Sequence, residues 1–128
     1  MDFLLDTCTL LWMDSSSEKI SKLAQSVLVD SQNKLYLSSV SVWEIAHKNS
    51  LGKLPLWGSV DEVLQAVVEE FEIGAIGFES SDARERSSIS ILHKDPFDLM
   101  LICQAQNRGL TLVTPDPAIK RYPIPVLW

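Results

Sequence analysis

Four acidic residues, Asp6, Glu44, Asp98 and Asp116, lie far apart in the chain but fall in similar local settings. Asp6 closes the apolar run FLL, and Asp116 stands just beyond the run LTLV. Glu44 and Asp98 are each expected in the first turn of a helix, where the helix N-terminus favours an anion. Carboxylates gathered within a few ångströms repel one another and raise each other's pKa. A divalent cation removes that cost, and a set of oxygen-only ligands suits Mg²⁺ or Mn²⁺ rather than zinc. Such an ion polarises a phosphodiester and activates a water for in-line attack, with no cysteine or serine nucleophile required.

Each acid also has an ordinary structural role open to it. Asp6 can cap the first helix, and Glu44 can be the glutamate of a capping box. Asp98 can serve the dipole of its helix, and Asp116, followed by Pro117, can be a helix cap. What sets the four apart is that all map to one edge of one sheet.

The elements that must position them follow from periodicity. Residues 3–5 form a short buried strand, and Asp6 or Thr7 caps a short helix through Leu10, Leu11 and Trp12. Ser17 precedes a helix over 18–31 with Ile20, Leu23, Ala24, Val27 and Leu28 on one stripe. Residues 35–38 form a second strand. The run from Ser41 to Glu44 has the spacing of a capping box, opening a helix to about Ser50 that Gly52 ends. A further helix covers 60–71, a strand 73–78 and a short helix 81–88. The pair Asp95-Pro96 opens a helix that ends at Gly109. A fourth strand covers 110–114 and an edge strand 126–128. Strands alternating with helices predict an α/β sandwich around a mostly parallel central sheet of four to five strands. In such folds the working site lies outside the carboxyl ends of the strands.

Composition narrows the class. The 128 residues suit one domain spanning 1–128, and 46% hydrophobic content suffices for a core. Cys8 and Cys103 lack metal-ligand spacing and read as small buried residues of a reduced compartment. The first residues lack a basic leader, and no run of 18 apolar residues occurs, so the expectation is a cytoplasmic protein with no membrane segment. The formal net charge of −6 argues against holding nucleic acid by bulk electrostatics and favours a basic protein partner.

The segments LLDTCTLLW, SSVSVWEIAHKNSLGKL, HKDPFDLMLICQAQ and LTLVTPD, with the ending VLW, resemble the PIN-domain family. The nearest branch is that of the VapC-type toxins of bacterial toxin–antitoxin pairs. The resemblance covers nearly the whole chain in the family's motif order. It implies a Mg²⁺- or Mn²⁺-dependent endoribonuclease with a three-layer α/β/α sandwich fold, a homodimer, and inhibition by a cognate antitoxin. By position, the family's metal-binding acids match Asp6, Glu44, Asp98 and Asp116. Thr114 matches the small hydroxyl residue before the last acid, which orients a carboxylate or water. Thr7 matches the threonine after the first aspartate. Asp95 matches a further acid of the DPFD segment, read as a supporting residue or helix cap. Two positions depart from the pattern. Cys8 stands where the branch commonly has histidine, and Leu99 where it commonly has arginine. Neither is a metal ligand there, so the departures bear on activity level and substrate choice.

Among the remaining residues, Lys48 has the spacing to pair with Glu44 on the helix. Lys48, Lys53 and Lys94 are read as surface cations, with RNA phosphate as the sharper expectation. His47 and His93 are expected in surface or structural roles rather than as general acids. Trp12 and Trp43 are expected in the core or a dimer interface, and Trp57 exposed. Two other functions compete. One is a PIN-like RNA- or protein-binding module with little catalysis. The other is a phosphoacceptor receiver domain, which Gly77-Phe78-Glu79 and the proline-rich end do not support.

Overall fold

The computed structural model describes residues 1–128. Its five strands are β1 (Asp2–Leu5), β2 (Lys34–Ser38), β3 (Gly74–Ile76), β4 (Thr111–Val113) and β5 (Val126–Leu127). They form one sheet in the order β3-β2-β1-β4-β5, every pair parallel. The connecting helices are α1 (Thr7–Ser15), α2 (Lys22–Val29), α3 (Ser39–Ser50), α4 (Val60–Phe71), α5 (Ser80–Arg84) and α6 (Pro96–Arg108). No helix is long and apolar enough to cross a membrane.

The continuous apolar strands arise because both sheet faces are covered. Alternate residues of each strand enter different cores. Phe3, Leu5, Leu35, Leu37 and Val113 join Leu10, Ala24, Ile45 and Val67 on one face. Leu4 and Leu112 join Val40, Leu101, Ile102, Ala105, Ile119 and Tyr122 on the other. The expected α/β/α sandwich is therefore present, with α1, α2 and α4 in one outer layer and α6 in the other.

Strand order reverses at β1. The chain goes from β1 to β2 on one side, and later returns to place β4 on the other. The carboxyl ends of β1 and β4 are therefore the topological switch point, where ligands of such sheets commonly bind.

Several boundaries differ from the sequence expectation for identifiable reasons. The helix expected over 18–31 is broken. Ser17–Lys19 makes a single 3-10 turn, Ile20 is extended (φ −83°, ψ 133°) and buried, and Ser21 caps α2 by accepting from Ala24 N–H at 3.1 Å. The anchoring of Ile20 in the core prevails over its helical spacing. The third strand is shorter than 73–78, since the Gly77 carbonyl accepts from Gln104 Nε2 (3.0 Å) and Arg108 Nη2 (2.7 Å) rather than from a strand. The helix expected over 81–88 is α5 followed by a 3-10 turn at Glu85–Ser88.

The capping box expected at Ser41–Glu44 is not one. Ser38 caps α3, its hydroxyl accepting from Val40 N–H at 3.1 Å, so Glu44 lies in the second turn. Trp43 does not join the core, one of the two places expected for it. It is 58% exposed and stacks on His47, with ring centroids 4.6 Å apart. Trp12 packs as expected, 5.8 Å from Trp128, and Trp57 is exposed, its indole N–H shared by both Asp14 oxygens at 3.1 Å.

Candidate functional site

Asp6 follows β1 directly and is the N-cap of α1. Its Oδ1 accepts from the N–H groups of Cys8 (2.6 Å) and Thr9 (3.2 Å), and its Oδ2 accepts from the Thr114 hydroxyl. The backbone joins the same two strands: Asp6 N–H and Thr9 Oγ1 both donate to the Val113 carbonyl, each at 3.1 Å. Asp6 is only 5% exposed, and burial raises its pKa against the pull of these hydrogen bonds.

Thr114 is fully buried and serves two acids. It donates to Asp6 and accepts from Asp116 N–H at 3.1 Å. Asp116 Oδ1 accepts from Ala118 N–H at 2.9 Å, making a tight turn after β4.

Asp95 is the N-cap of α6, its Oδ1 accepting from Phe97 N–H (2.9 Å) and Asp98 N–H (3.2 Å). Pro96 takes the first helical position, which has no use for an N–H. Asp98 therefore lies in the first turn. Burial, and then the charge of Asp95, push its carboxyl up to about 7, with Asp6 and Asp116 adding to the rise and a hydrogen bond from His93 opposing it. Asp6, Asp98 and Asp116 thus share one electrostatic neighbourhood that is short of positive charge. Cys8 lies in it too. Burial followed by the charge of Asp6 raises its thiol pKa, so it is no thiolate nucleophile at neutral pH.

Glu44 reaches the cluster from α3. It is 5% exposed, its Oε1 lies 2.7 Å from Thr7 Oγ1, and its Oε2 is paired with Lys48 one turn along the helix. Thr7 Oγ1 is also 2.9 Å from Ser41 Oγ. A carboxylate can only accept, so the threonine proton goes to Glu44 and the serine hydroxyl donates to Thr7. The hydrogen bond to Glu44 raises the Lys48 pKa, and the charges of Asp95 and Asp98 add to it, so this ammonium faces three acids.

The sheet edge therefore unites Asp6, Thr114 and Asp116 by direct bonds, Asp98 through the field, and Glu44 through Thr7. It does not present a finished cage, since no three His, Cys, Asp or Glu side chains are placed to hold a metal ion. Thr114, Lys48 and His93 each occupy an acid's oxygen instead. The donor set nevertheless fits a hard divalent cation. It is carboxylate and hydroxyl oxygen throughout, and the charges of Asp95, Asp6 and Asp116 add to burial in raising the Asp98 carboxyl. Cavity size does not mark the place. A cavity of about 620 Å³ lies at the other end of the sheet, among Leu28, Lys34, Tyr36 and Gly74.

Leu99, at a departure from the family pattern, lines a separate apolar cavity of about 270 Å³ with Phe78, Pro96, Met100 and Cys103. None of the four acids lines that cavity. Lys53 and Lys94 are exposed and form no ion pair. His93 was not legible as a site residue from its type. Its signal was position, since it immediately precedes the Lys94-Asp95 entrance to the helix that carries Asp98.

The parallel α/β/α fold puts these acids at its switch point, where such folds place their ligand sites. Residues 3–125 match the PIN domain family, and the chain belongs to it. Members of that family are generally nucleases that use divalent metals. No curated protein matches the chain. Among solved structures, the chain is similar to one in VapBC2 from Rickettsia felis bound to a promoter DNA fragment. That match has a TM-score of 0.78 and 17% identity and covers 99% of this chain and 98% of the other. A chain of DNA-bound VapBC from Salmonella typhimurium gives 0.69 and 18%, covering 99% and 97%. A chain of FitAcB from Neisseria gonorrhoeae gives 0.63 and 19%, covering 100% and 97%.

Proposed function

We propose that this chain is a VapC-type endoribonuclease that needs Mg²⁺ or Mn²⁺, the toxin of a toxin–antitoxin pair. One observation carries the reading. Asp6 and Asp116 are bonded to the same Thr114 hydroxyl at the β1–β4 switch point, with the Asp98 carboxyl pushed up to about 7 beside them. Asp6, Asp98 and Asp116 would hold the cation, and Glu44 would complete the acidic wall. When bound, the cation would polarise a phosphodiester and lower the pKa of a water.

The chain's own groups supply the orientation. Thr114 fixes Asp6 Oδ2 and the turn that carries Asp116. Asp95 starts α6 so that Asp98 falls in its first turn. Thr7 holds Glu44, whose other oxygen keeps Lys48 beside the acids. Lys48, 43% exposed, is the cation best placed to meet an RNA phosphate. The net charge of −6 suits a basic antitoxin segment, and the structural likeness to chains of VapBC and FitAcB complexes supports an antitoxin partner. A homodimer and a cytoplasmic setting belong to the same reading. Leu99 gives no support to a non-catalytic module, since its side chain lines a cavity that none of the four acids lines.

The test is cleavage of a mixed RNA substrate by the purified chain with Mg²⁺ or Mn²⁺. Cleavage should stop with chelator and be lost in Asp6→Asn and Asp98→Asn variants that remain folded. Metal-loaded protein that leaves RNA intact, with both variants indistinguishable from wild type, refutes the reading.

A further inference from the structure

His93 plays no part in the proposed chemistry, yet both of its ring nitrogens are engaged. Nε2 lies 3.2 Å from Asp98 Oδ2, and Nδ1 lies 2.9 Å from the hydroxyl oxygen of Tyr122. The same hydroxyl accepts from Leu92 N–H at 2.9 Å. Tyr122 is 3% exposed and sits in the second core, with its ring edge-on to the imidazole at 5.4 Å and 70°.

Counting protons gives the chain a direction. In the ionised form that binds a cation, Asp98 can only accept, so Nε2 must carry the proton. A neutral imidazole then has a lone pair on Nδ1. Tyr122 has one proton to give, and donates it to Nδ1 while its oxygen accepts from Leu92. Every donor and acceptor is used once. The opposite tautomer would set the Nε2 lone pair against the carboxylate.

We infer that His93 is a positioning residue, locked by Tyr122 in its Nε2–H tautomer, that holds Asp98 Oδ2 and leaves Oδ1 for the cation. This rests on the metal-site reading above. Partners that orient a ligating carboxylate commonly change metal affinity by about 10- to 100-fold when removed. The hydroxyl of Tyr122 is the distal anchor, so it contributes to cation affinity without approaching the cation.

The experiment compares wild type, His93→Ala, His93→Gln and Tyr122→Phe, each checked for folding by thermal melting. Mn²⁺ binding is measured by titration, and the His93 ring nitrogens by ¹⁵N NMR at about pH 8, above the ordinary histidine range. Wild type should show the Nε2–H tautomer. His93→Ala should weaken Mn²⁺ binding by about 10- to 100-fold. His93→Gln, whose amide keeps an N–H near the Nε2 position, should recover most of it. Tyr122→Phe should keep the ring packed but lose the single tautomer and weaken binding less than His93→Ala. A folded His93→Ala that binds Mn²⁺ like wild type overturns the inference, as does an Nδ1–H tautomer in wild type. Wild type that binds no Mn²⁺ refutes the metal-site reading instead. The NMR arm then decides by itself, and a tautomer unmoved in Tyr122→Phe overturns the Tyr122 lock.

Discussion

Thr114 at the end of β4 donates its hydroxyl to Asp6 at the end of β1, so one buried bond joins the two strands at the point where sheet order reverses. The same oxygen accepts from Asp116 N–H. Replacing Thr114 by valine keeps the shape and removes both bonds. A buried acceptor left unpaired costs about 1–3 kcal/mol. Thr114→Val should lower unfolding free energy by about that amount and weaken RNA cleavage, whereas Thr114→Ser should preserve cleavage. Urea denaturation and a cleavage assay on the same preparations check this. A valine variant as stable and active as wild type would remove Thr114 from the site.

The acids of the site should behave in the opposite sense. Asp98 carries a carboxyl pushed up to about 7 by burial and by Asp95, Asp6 and Asp116. At pH 8 it is ionised at a cost. Asp98→Asn removes that charge with little change of volume, so the metal-free variant should melt higher than metal-free wild type at this pH while cleavage is abolished. Such a gain of stability on loss of function is expected where acids are gathered for binding rather than for folding. Equal or lower melting temperatures in differential scanning calorimetry would contradict it.

The sequence disclosed the strand ends and helix starts because each has a local cause. Asp95-Pro96 and Gly109 bound α6 as expected, and Gly109 adopts φ +65° there. Val60–Phe71 is also the span that periodicity predicts. Asp6 and Asp116 were legible because their place depends only on the ends of β1 and β4. Glu44 was expected in the first turn of its helix, and that placement was wrong. Ser38 competes successfully with Ser41 as the cap, which moves Glu44 into the second turn and buries it. The His93–Tyr122 contact was not legible, since it joins positions 29 residues apart and depends on how the C-terminal segment packs on α6.

Two acids, half-buried Asp98 and buried Asp82, give opposite pH dependences. Asp98 has its carboxyl raised from 3.8 to about 7 in the folded protein, so its proton is held more tightly there than in the unfolded chain. Its contribution is fully present below about pH 4 and is lost as pH rises through about 7. Asp82 is lowered to about 2, because bonds from Arg108, Asn107 and Glu79 N–H outweigh the cost of burial. Its contribution is present above about pH 4 and is lost as pH falls toward 2. Metal-free protein should therefore be most stable near pH 4 to 5, and Mn²⁺ should restore the stability lost near pH 7 to 8. Chemical denaturation across pH, with and without Mn²⁺, reads this directly. A metal-free stability that rises between pH 5 and 8 is incompatible with the raised Asp98.

Asp82 supplies the contrasting substitution. Its carboxylate is fully buried at α5 and accepts from Arg108 Nε (3.1 Å) and Nη2 (2.9 Å), Asn107 Nδ2 (2.8 Å) and Glu79 N–H (2.8 Å). These bonds fasten α5 to the last turn of α6. Removing one partner of a buried ion pair typically costs about 3–5 kcal/mol, reduced here because Arg108 is 30% exposed and can recover water. Asp82→Ala should therefore lower stability by about 2–4 kcal/mol. It should leave cleavage per folded molecule and Mn²⁺ affinity unchanged, since Asp82 bonds to none of the site acids. Denaturation, Mn²⁺ titration and cleavage measured below the variant's melting temperature separate the two effects. A folded variant that keeps full stability but loses Mn²⁺ would assign Asp82 to the site rather than to the fold.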